Sequence, residues 1–125
     1  MSATWKKVAE DSYSASSRLF AEGRWRSAIS RAYYAAYSLV AEALAGKGLD
    51  MPMGREGPSH KKIPVLVENN LSSLKDRWRV SRMLQDMYAY RLAADYKPSD
   101  EVGDADARSS LTLMRNVFVS LKETL

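Results

Sequence analysis

The sequence predicts an all-α protein, an up-and-down antiparallel bundle of four long helices and one short helix in a single domain, residues 1–125. Apolar residues recur at helical spacing along most of the chain, whereas no Val/Ile/Thr-rich alternating run typical of a strand occurs. Glycine and proline fall in a few clusters, which mark the connections between helices. With 125 residues, 46% of them hydrophobic and 27% charged, the chain has the size and composition of one globular domain.

The first two predicted helices are long and are separated by Gly23. The first has an apolar stripe over residues 5–20, and the second has one over residues 25–44. Gly46 and Gly48 are expected to end the second helix, because glycine readily takes the left-handed conformation found at helix C-termini.

A loop and three further helices follow. Residues 49–58 contain two prolines and two glycines and are expected to form the loop. A short helix with a stripe over residues 63–71 comes next, with Ser59 as its N-cap.

The last two predicted helices are divided by residues 97–103, which break the apolar pattern. The fourth stripe covers residues 80–88, and the last covers residues 107–125. Asp104 or Asp106 is expected to cap the last helix.

Composition excludes several kinds of site. The chain has no cysteine, so disulfides, a cysteine nucleophile and cysteine-ligated metals are excluded. His60 is the only histidine, which excludes a histidine-rich metal site within one chain. No signal peptide and no membrane-spanning stretch is found, so we expect a cytoplasmic protein without membrane contact.

The charge balance is basic and leans to arginine. The net charge is +4, from 19 basic and 15 acidic residues, and 11 of the basic residues are arginine. Arginine suits phosphate recognition because its planar fork donates two parallel hydrogen bonds. A solvated basic surface and a surface for RNA or a nucleotide fit this balance equally well.

The second helix carries tyrosines away from its apolar stripe. At about 100° per residue, Tyr34 lies almost opposite the stripe and Tyr37 on its flank, while Arg24 and Arg31 share the off-core side. Such a helix either lies at the centre of the bundle, with its tyrosine hydroxyls satisfied, or presents this side to a second chain or a ligand.

Arg91 continues the apolar stripe of the fourth helix, since Leu84, Met87 and Arg91 are spaced like core positions. A charge in such a position is costly unless it is paired. Asp95 lies four residues later, within reach of Arg91 on a continuing helix, and Tyr96 follows it. The pair is either a structural ion pair that closes the helix or part of a cleft in which Arg91 binds a phosphate.

Arg55-x4-His60 has the spacing of an arginine–histidine pair in a metal-independent ribonuclease. There the histidine moves the proton of a ribose 2′-hydroxyl and the arginine stabilises phosphate charge. The pattern has low specificity, because a chain with this arginine content produces it by chance in roughly one case in four. A capping or surface role also suits His60.

Other chemistries lack a signal. The sequence contains no phosphate-binding glycine loop, no serine-hydrolase motif and no second histidine for a triad. Acidic residues cluster at Asp100, Glu101, Asp104 and Asp106, and we interpret them as capping and solvating the last helix. We therefore predict no cofactor and no metal site.

Three motifs occur in order along the chain. Residues 23–37 read GRWRSAISRAYYAAY, Ser59-His60 precedes the third helix, and Arg91-Leu-Ala-Ala-Asp95-Tyr96 ends the fourth. Together with the last helix, they resemble the motifs of a subgroup of HEPN domains (higher eukaryotes and prokaryotes nucleotide-binding). The resemblance covers nearly the whole chain.

The resemblance implies a helical bundle that is usually a homodimer. Many HEPN proteins are, or resemble, metal-independent ribonucleases used as toxins, in anti-phage defence or in RNA processing, and many are encoded beside a nucleotidyltransferase partner. Their catalytic signature is Arg-x4–6-His near the start of a late helix. Here the late-helix element keeps Arg91 but has Asp95 and Tyr96 where the histidine would fall.

The candidate site that the resemblance implies lies near a dimer interface and has six members: Arg31, Tyr34, His60, Arg91, Asp95 and Tyr96. The two arginines would bind phosphate, and the aspartate would orient Arg91. The two tyrosines would donate hydrogen bonds or stack on a base. If the site is catalytic, Arg91 and His60 are the expected catalytic residues.

We therefore expect a homodimer that binds RNA or a nucleotide in a toxin–antitoxin or defence system and pairs with a nucleotidyltransferase. An active metal-independent endoribonuclease is the first alternative. A helical scaffold that binds only protein is the second.

Overall fold

The structure, a computed structural model, describes residues 4–49, 53–54, 57–58, 60–72 and 74–122. These residues form five helices and two short strands: α1 (Trp5–Ala21), α2 (Trp25–Ala45), β1 (Met53–Gly54), β2 (Gly57–Pro58), α3 (Ile63–Asn70), α4 (Arg77–Tyr96) and α5 (Asp104–Leu121). The predicted class, a helical bundle of four long helices and one short helix, is confirmed. The two-residue strands pair antiparallel within the predicted loop, which the sequence did not indicate.

α2 occupies the centre of the bundle. It packs against the other four helices, and its residues from Ala32 to Leu44 are buried except Tyr34 and Glu42. This position explains why the helix is apolar on nearly all sides. Of the two interpretations of its off-stripe tyrosines, central burial applies to Tyr37, but its hydroxyl has no hydrogen-bond partner among the described residues, so the expected satisfaction of that hydroxyl is wrong. Tyr34 keeps 39% of its surface exposed.

Glycines end α1 and α2 as the sequence predicts. Gly23 and Gly48 have φ angles of 75° and 78°, in the left-handed region. At both positions the next residue donates its N–H to the carbonyl five residues earlier, the bond of a Schellman motif. Gly46 also marks the end of α2, as the residue after Ala45, but the predicted left-handed conformation is wrong for it, because its φ is −63°.

The residues that precede α3 and α5 differ in part from the predicted N-caps. α3 follows Lys62 and has Pro64 in its first turn, while the predicted N-cap Ser59 lies outside the described residues. α5 follows Gly103, whose N–H donates to the Asp106 carboxylate at 3.0 Å. Asp106 therefore caps α5 from its third position, as the second half of a capping box does.

Arg26 fixes the end of α4. Its guanidinium donates to the carbonyls of Ala93 and Ala94 at 3.1 and 2.9 Å. It also donates to three carbonyls of the following connection, those of Lys97, Pro98 and Asp100. The last carbonyls of a helix have no partner within the helix, and this one side chain supplies donors to two of them.

We expect Arg26→Ala to lower the free energy of unfolding by about 1.5–3 kcal/mol, the range for hydrogen bonds from a charged group. Arg24→Ala is the matched control, because the Arg24 side chain is 68% exposed in an ion pair with Glu22. The control should change stability by less than about 1 kcal/mol. Urea unfolding of both variants measures the difference, and equal losses would contradict this role of Arg26.

Candidate functional site

His60 and Arg91 meet where the start of α3 packs against the later part of α4. His60 lies three residues before α3, and Arg91 lies five residues before the end of α4. The Arg91 Nη1 atom is 3.5 Å from the His60 Nε2 atom. The fold thus joins two residues that the sequence identified separately.

Three tyrosines surround the His60 ring. Tyr33 Oη lies 2.7 Å from His60 Nδ1, a hydrogen bond. The Tyr88 ring stacks on the imidazole, with centroids 5.3 Å apart and planes 16° apart. The Tyr37 ring lies 5.1 Å away between centroids. The imidazole is therefore held by residues of α2 and α4.

The contacts of His60 favour one tautomer. Arginine has only donors, so the Nε2 atom facing Arg91 must carry a lone pair for this contact to be a hydrogen bond. The proton of the neutral ring then lies on Nδ1 and is donated to Tyr33 Oη. This tautomer presents a basic nitrogen beside the guanidinium.

Burial and the neighbouring charge keep this site in defined protonation states. Burial, and after it the charge of Arg91, lower the pKa of His60 below its ordinary value. Burial, and after it the proximity of Tyr37, raise the pKa of Tyr33 above its ordinary range. At neutral pH the imidazole is therefore neutral and the Tyr33 hydroxyl keeps its proton.

Arg91 and Asp95 form the ion pair that their spacing predicts. Arg91 Nε lies 3.2 Å from Asp95 Oδ2, and the two side chains are 23% and 26% exposed. Ser30 on α2 donates to the same carboxylate oxygen at 3.1 Å. Asp95 is thus fixed from a second helix, and it orients Arg91 in turn.

The guanidinium of Arg91 also lies between two aromatic rings. Its Cζ atom is 5.7 Å from the centre of the Tyr33 ring and 5.8 Å from that of Tyr96. Nη2 donates to Tyr96 Oη at 3.5 Å. The contacts with His60, Asp95 and Tyr96 use three of the five guanidinium N–H groups, so two can donate to an anion.

The structure joins four of the six predicted site residues directly: His60, Arg91, Asp95 and Tyr96. Tyr34 is connected to the site through Tyr37: its ring stacks on Tyr37 at 6.1 Å between centroids, and Tyr37 lies beside His60. Arg31 is exposed and takes part in no hydrogen bond, ion pair or cation–π contact among the described residues. Arg55 lies outside those residues, so the Arg55-x4-His60 hypothesis stays a prediction.

Three residues contribute to the site without having been identified from the sequence. Tyr33 and Tyr88 fall in apolar stripes, which assign them to the core. For Tyr33 the hydroxyl was the available signal, because a buried tyrosine normally needs a hydrogen-bond partner, whereas Tyr88 contributes the face of its ring. Ser30 carries no such signal, since its partner Asp95 is 65 residues away.

A groove opens beside His60 between α3 and α4. This α3–α4 groove has a volume of about 380 Å³, within the usual range of ligand pockets. Its lining residues are His60, Lys61, Pro64, Val65, Glu68, Gln85 and Tyr88. At the far end from His60, the Ser81 hydroxyl donates to the Glu68 carboxylate and accepts from Gln85.

The acidic residues near α5 have structural partners. Asp104 pairs with Arg108 at 3.5 Å, and Asp106 caps the helix. Within the described ranges, no group of three or more His, Asp or Glu residues is placed to hold a metal ion. In the same ranges, no helix combines the length and apolar character needed to cross a membrane.

We expect the pKa of His60 to rise in the Arg91→Gln variant, because loss of the positive charge favours protonation. His60 gives the only imidazole signals of the chain, so NMR titration reports it directly. Because folding lowers this pKa, its contribution to stability is present above the ordinary value and is lost as pH falls toward the folded value. Arg24→Gln is the control, and an unchanged titration in Arg91→Gln would contradict the contact.

Comparison with known proteins gives one result. The sequence profile of the HEPN domain matches residues 2–124. No curated protein and no solved structure matches the chain. The profile match spans almost the whole sequence and confirms the family that its motifs predict. The chain therefore belongs to the HEPN domain family.

Proposed function

We propose that this HEPN protein binds RNA and cleaves it as a metal-independent endoribonuclease, with His60 and Arg91 at the reacting phosphate. The observation that carries the proposal is the 3.5 Å contact between His60 Nε2 and Arg91 Nη1. The two groups suit the two tasks of RNA cleavage, proton transfer and stabilisation of phosphate charge. The family's general link to RNA-related nuclease roles also supports it.

In the proposed reaction, the Arg91 N–H turns from His60 Nε2 to the phosphate, and Nε2 then takes the proton of a ribose 2′-hydroxyl. The 2′-oxygen attacks the adjacent phosphorus, the bond from phosphorus to the 5′-oxygen breaks, and a 2′,3′-cyclic phosphate forms. The protonated His60, or water, returns a proton to the departing 5′-oxygen. Arg91 donates to the non-bridging oxygens, whose negative charge grows during the attack.

The neighbours of the pair suit these roles. The Tyr33 hydroxyl accepts a hydrogen bond from His60 Nδ1–H, which keeps the proton on Nδ1 and the lone pair on Nε2. The lowered pKa keeps His60 neutral, and therefore able to accept a proton, at neutral pH. Asp95 holds Arg91 before substrate binds, which reduces the entropy lost on binding.

RNA binding without cleavage is the second candidate function. The Arg91–Asp95 ion pair favours it, because the carboxylate offsets part of the guanidinium charge that would stabilise a transition state. The packing of His60 against Tyr88 and Tyr37 favours it as well, since a stacked ring has restricted access to a ribose.

We expect the wild-type protein to cleave single-stranded RNA in the presence of a chelator and to leave 2′,3′-cyclic phosphate ends. His60→Gln should slow cleavage by about 10²- to 10⁴-fold, the usual contribution of a general base. Arg91→Ala should slow it by about 10²- to 10³-fold. Arg24→Ala is the control and should keep wild-type activity. Gel assays give the rates, and mass spectrometry identifies the ends.

The outcomes separate the two candidates. Cleavage that persists in both His60→Gln and Arg91→Ala would exclude this site from the reaction. A folded wild-type protein that leaves RNA intact, yet loses RNA affinity in Arg91→Ala, would establish the second candidate.

A homodimer is part of the proposal. Tyr34 supports it, because its ring is 39% exposed on an otherwise buried part of α2, and the exposed Arg31 lies about one turn earlier. We expect a dimer in sedimentation, weakened about tenfold by Tyr34→Ala. Val119→Ala, on an exposed part of α5, is the control. A monomeric wild-type protein would contradict the dimer. The nucleotidyltransferase partner, the toxin–antitoxin or defence role and the cytoplasmic location stay predictions.

A further inference from the structure

Trp78 is an unusual residue on the surface of α4. Its side chain is 59% exposed, whereas Trp5 and Trp25 pack against the apolar clusters of the bundle. The guanidinium of Arg77 lies 5.4 Å from the centre of its ring. A large exposed aromatic surface beside cations is typical of a platform on which nucleic acid bases stack.

The α3–α4 groove leads from His60 toward Trp78. His60 and Tyr88 line one end of the groove, and the hydrogen bond between Ser81 and Glu68 lies at the other. Trp78 is one helical turn beyond Ser81 on α4. Trp78 therefore lies beyond the groove along α4, about 140° around the helix axis from Arg91, so a path between the two residues winds partly around α4.

The charges around Trp78 favour a polyanion. Residues 75–82 contain four basic residues, Lys75, Arg77, Arg79 and Arg82, and one acidic residue, Asp76. All of them are exposed except Arg77, which is partly buried. Arg82 also lies 3.8 Å from Asp86, in an exposed pair that contributes little stability.

The charges within the groove suggest which part of a nucleotide enters it. The Glu68 carboxylate lines the groove and would repel a phosphate, but it can accept from the N–H groups of a base. The Lys61 side is cationic and can face the phosphate backbone. A base inside the groove, with its phosphates toward the basic side chains, satisfies both.

We propose that single-stranded RNA lies along α4 from Arg91 to Trp78, with one base in the α3–α4 groove and another stacked on Trp78. The proposal rests on the proposed function, because it extends the strand away from the phosphate at Arg91. These two residues are 13 positions apart on α4, or about 20 Å at 1.5 Å per residue. A dinucleotide is too short to span this distance, whereas an octanucleotide is long enough, since even stacked nucleotides advance about 3.4 Å each.

The test compares a dinucleotide with an octanucleotide, both 2′-O-methylated so that they are not cleaved. Trp78→Leu should weaken octanucleotide binding by roughly 5- to 150-fold, the usual effect of losing one stacked base. It should leave dinucleotide binding unchanged, because a dinucleotide at Arg91 does not reach Trp78. Trp78→Phe keeps an aromatic ring and should retain most of the octanucleotide affinity. Circular dichroism shows that each variant is folded.

Salt dependence tests the basic flank. Arg79→Gln and Arg82→Gln should each reduce the slope of log affinity against log salt by about 0.7 for the octanucleotide. Arg18→Gln is the control, because Arg18 is exposed on α1, which packs on α2 and α5. If Arg79→Gln, Arg82→Gln and the control Arg18→Gln all give the same slope, the proposed RNA path along α4 is wrong.

The outcomes distinguish this proposal from the proposed function. If Arg91→Ala abolishes binding of both oligonucleotides and Trp78→Leu changes neither, the RNA site stands and the path along α4 is wrong. If Trp78→Leu instead converts a dimer to a monomer without weakening RNA binding, this surface belongs to a second copy of the chain and the path is again wrong. If the wild-type protein binds neither oligonucleotide, both proposals fail.

Discussion

Burial of α2 is the constraint on which the rest of the structure depends. Alanines with no exposed surface, such as Ala32, Ala35 and Ala36, allow the other helices to approach this one closely. A polar group that an enclosed helix carries inward is costly without a partner, and in the described part of the chain the Tyr37 and Ser38 hydroxyls of α2 have none. Tyr33 finds its partner in His60, which brings the segment before α3 against the core. The candidate site thus forms at the point where the buried Tyr33 hydroxyl finds its hydrogen-bond partner.

The electrostatics of Arg91 follow from the same packing. Its side chain is only 23% exposed, so its charge needs compensation, which Asp95 supplies by an ion pair and two tyrosine faces supply by cation–π contact. About a quarter of each side chain of the pair is exposed, so solvent shares in this compensation. These contacts also restrict the rotamers of the Arg91 side chain before a ligand binds. An incoming phosphate therefore meets an ordered arginine and competes with Asp95 for it.

Most of the correct predictions came from the spacing of residues within single helices. Apolar spacing identified the five helices, and a separation of four residues identified the Arg91–Asp95 pair, because both are properties of a single helix. The contact between His60 and Arg91 depends instead on how α3 packs on α4 across 31 residues, which no local spacing encodes. The role of Arg26 was equally hidden, since it binds backbone carbonyls, and carbonyls leave no signature in a sequence.

The dispersal of the site along the chain has a consequence for biosynthesis. Its groups come from the first half of α2, the segment before α3 and the last two turns of α4, and the carbonyls that anchor the end of α4 extend to Asp100. Closing these segments on one another costs chain entropy that no partial set of contacts repays. A nascent chain therefore carries no assembled site until α4 and the connection after it have been synthesised. An activity toward RNA built on this geometry would stay latent until those segments have left the ribosome that makes the chain.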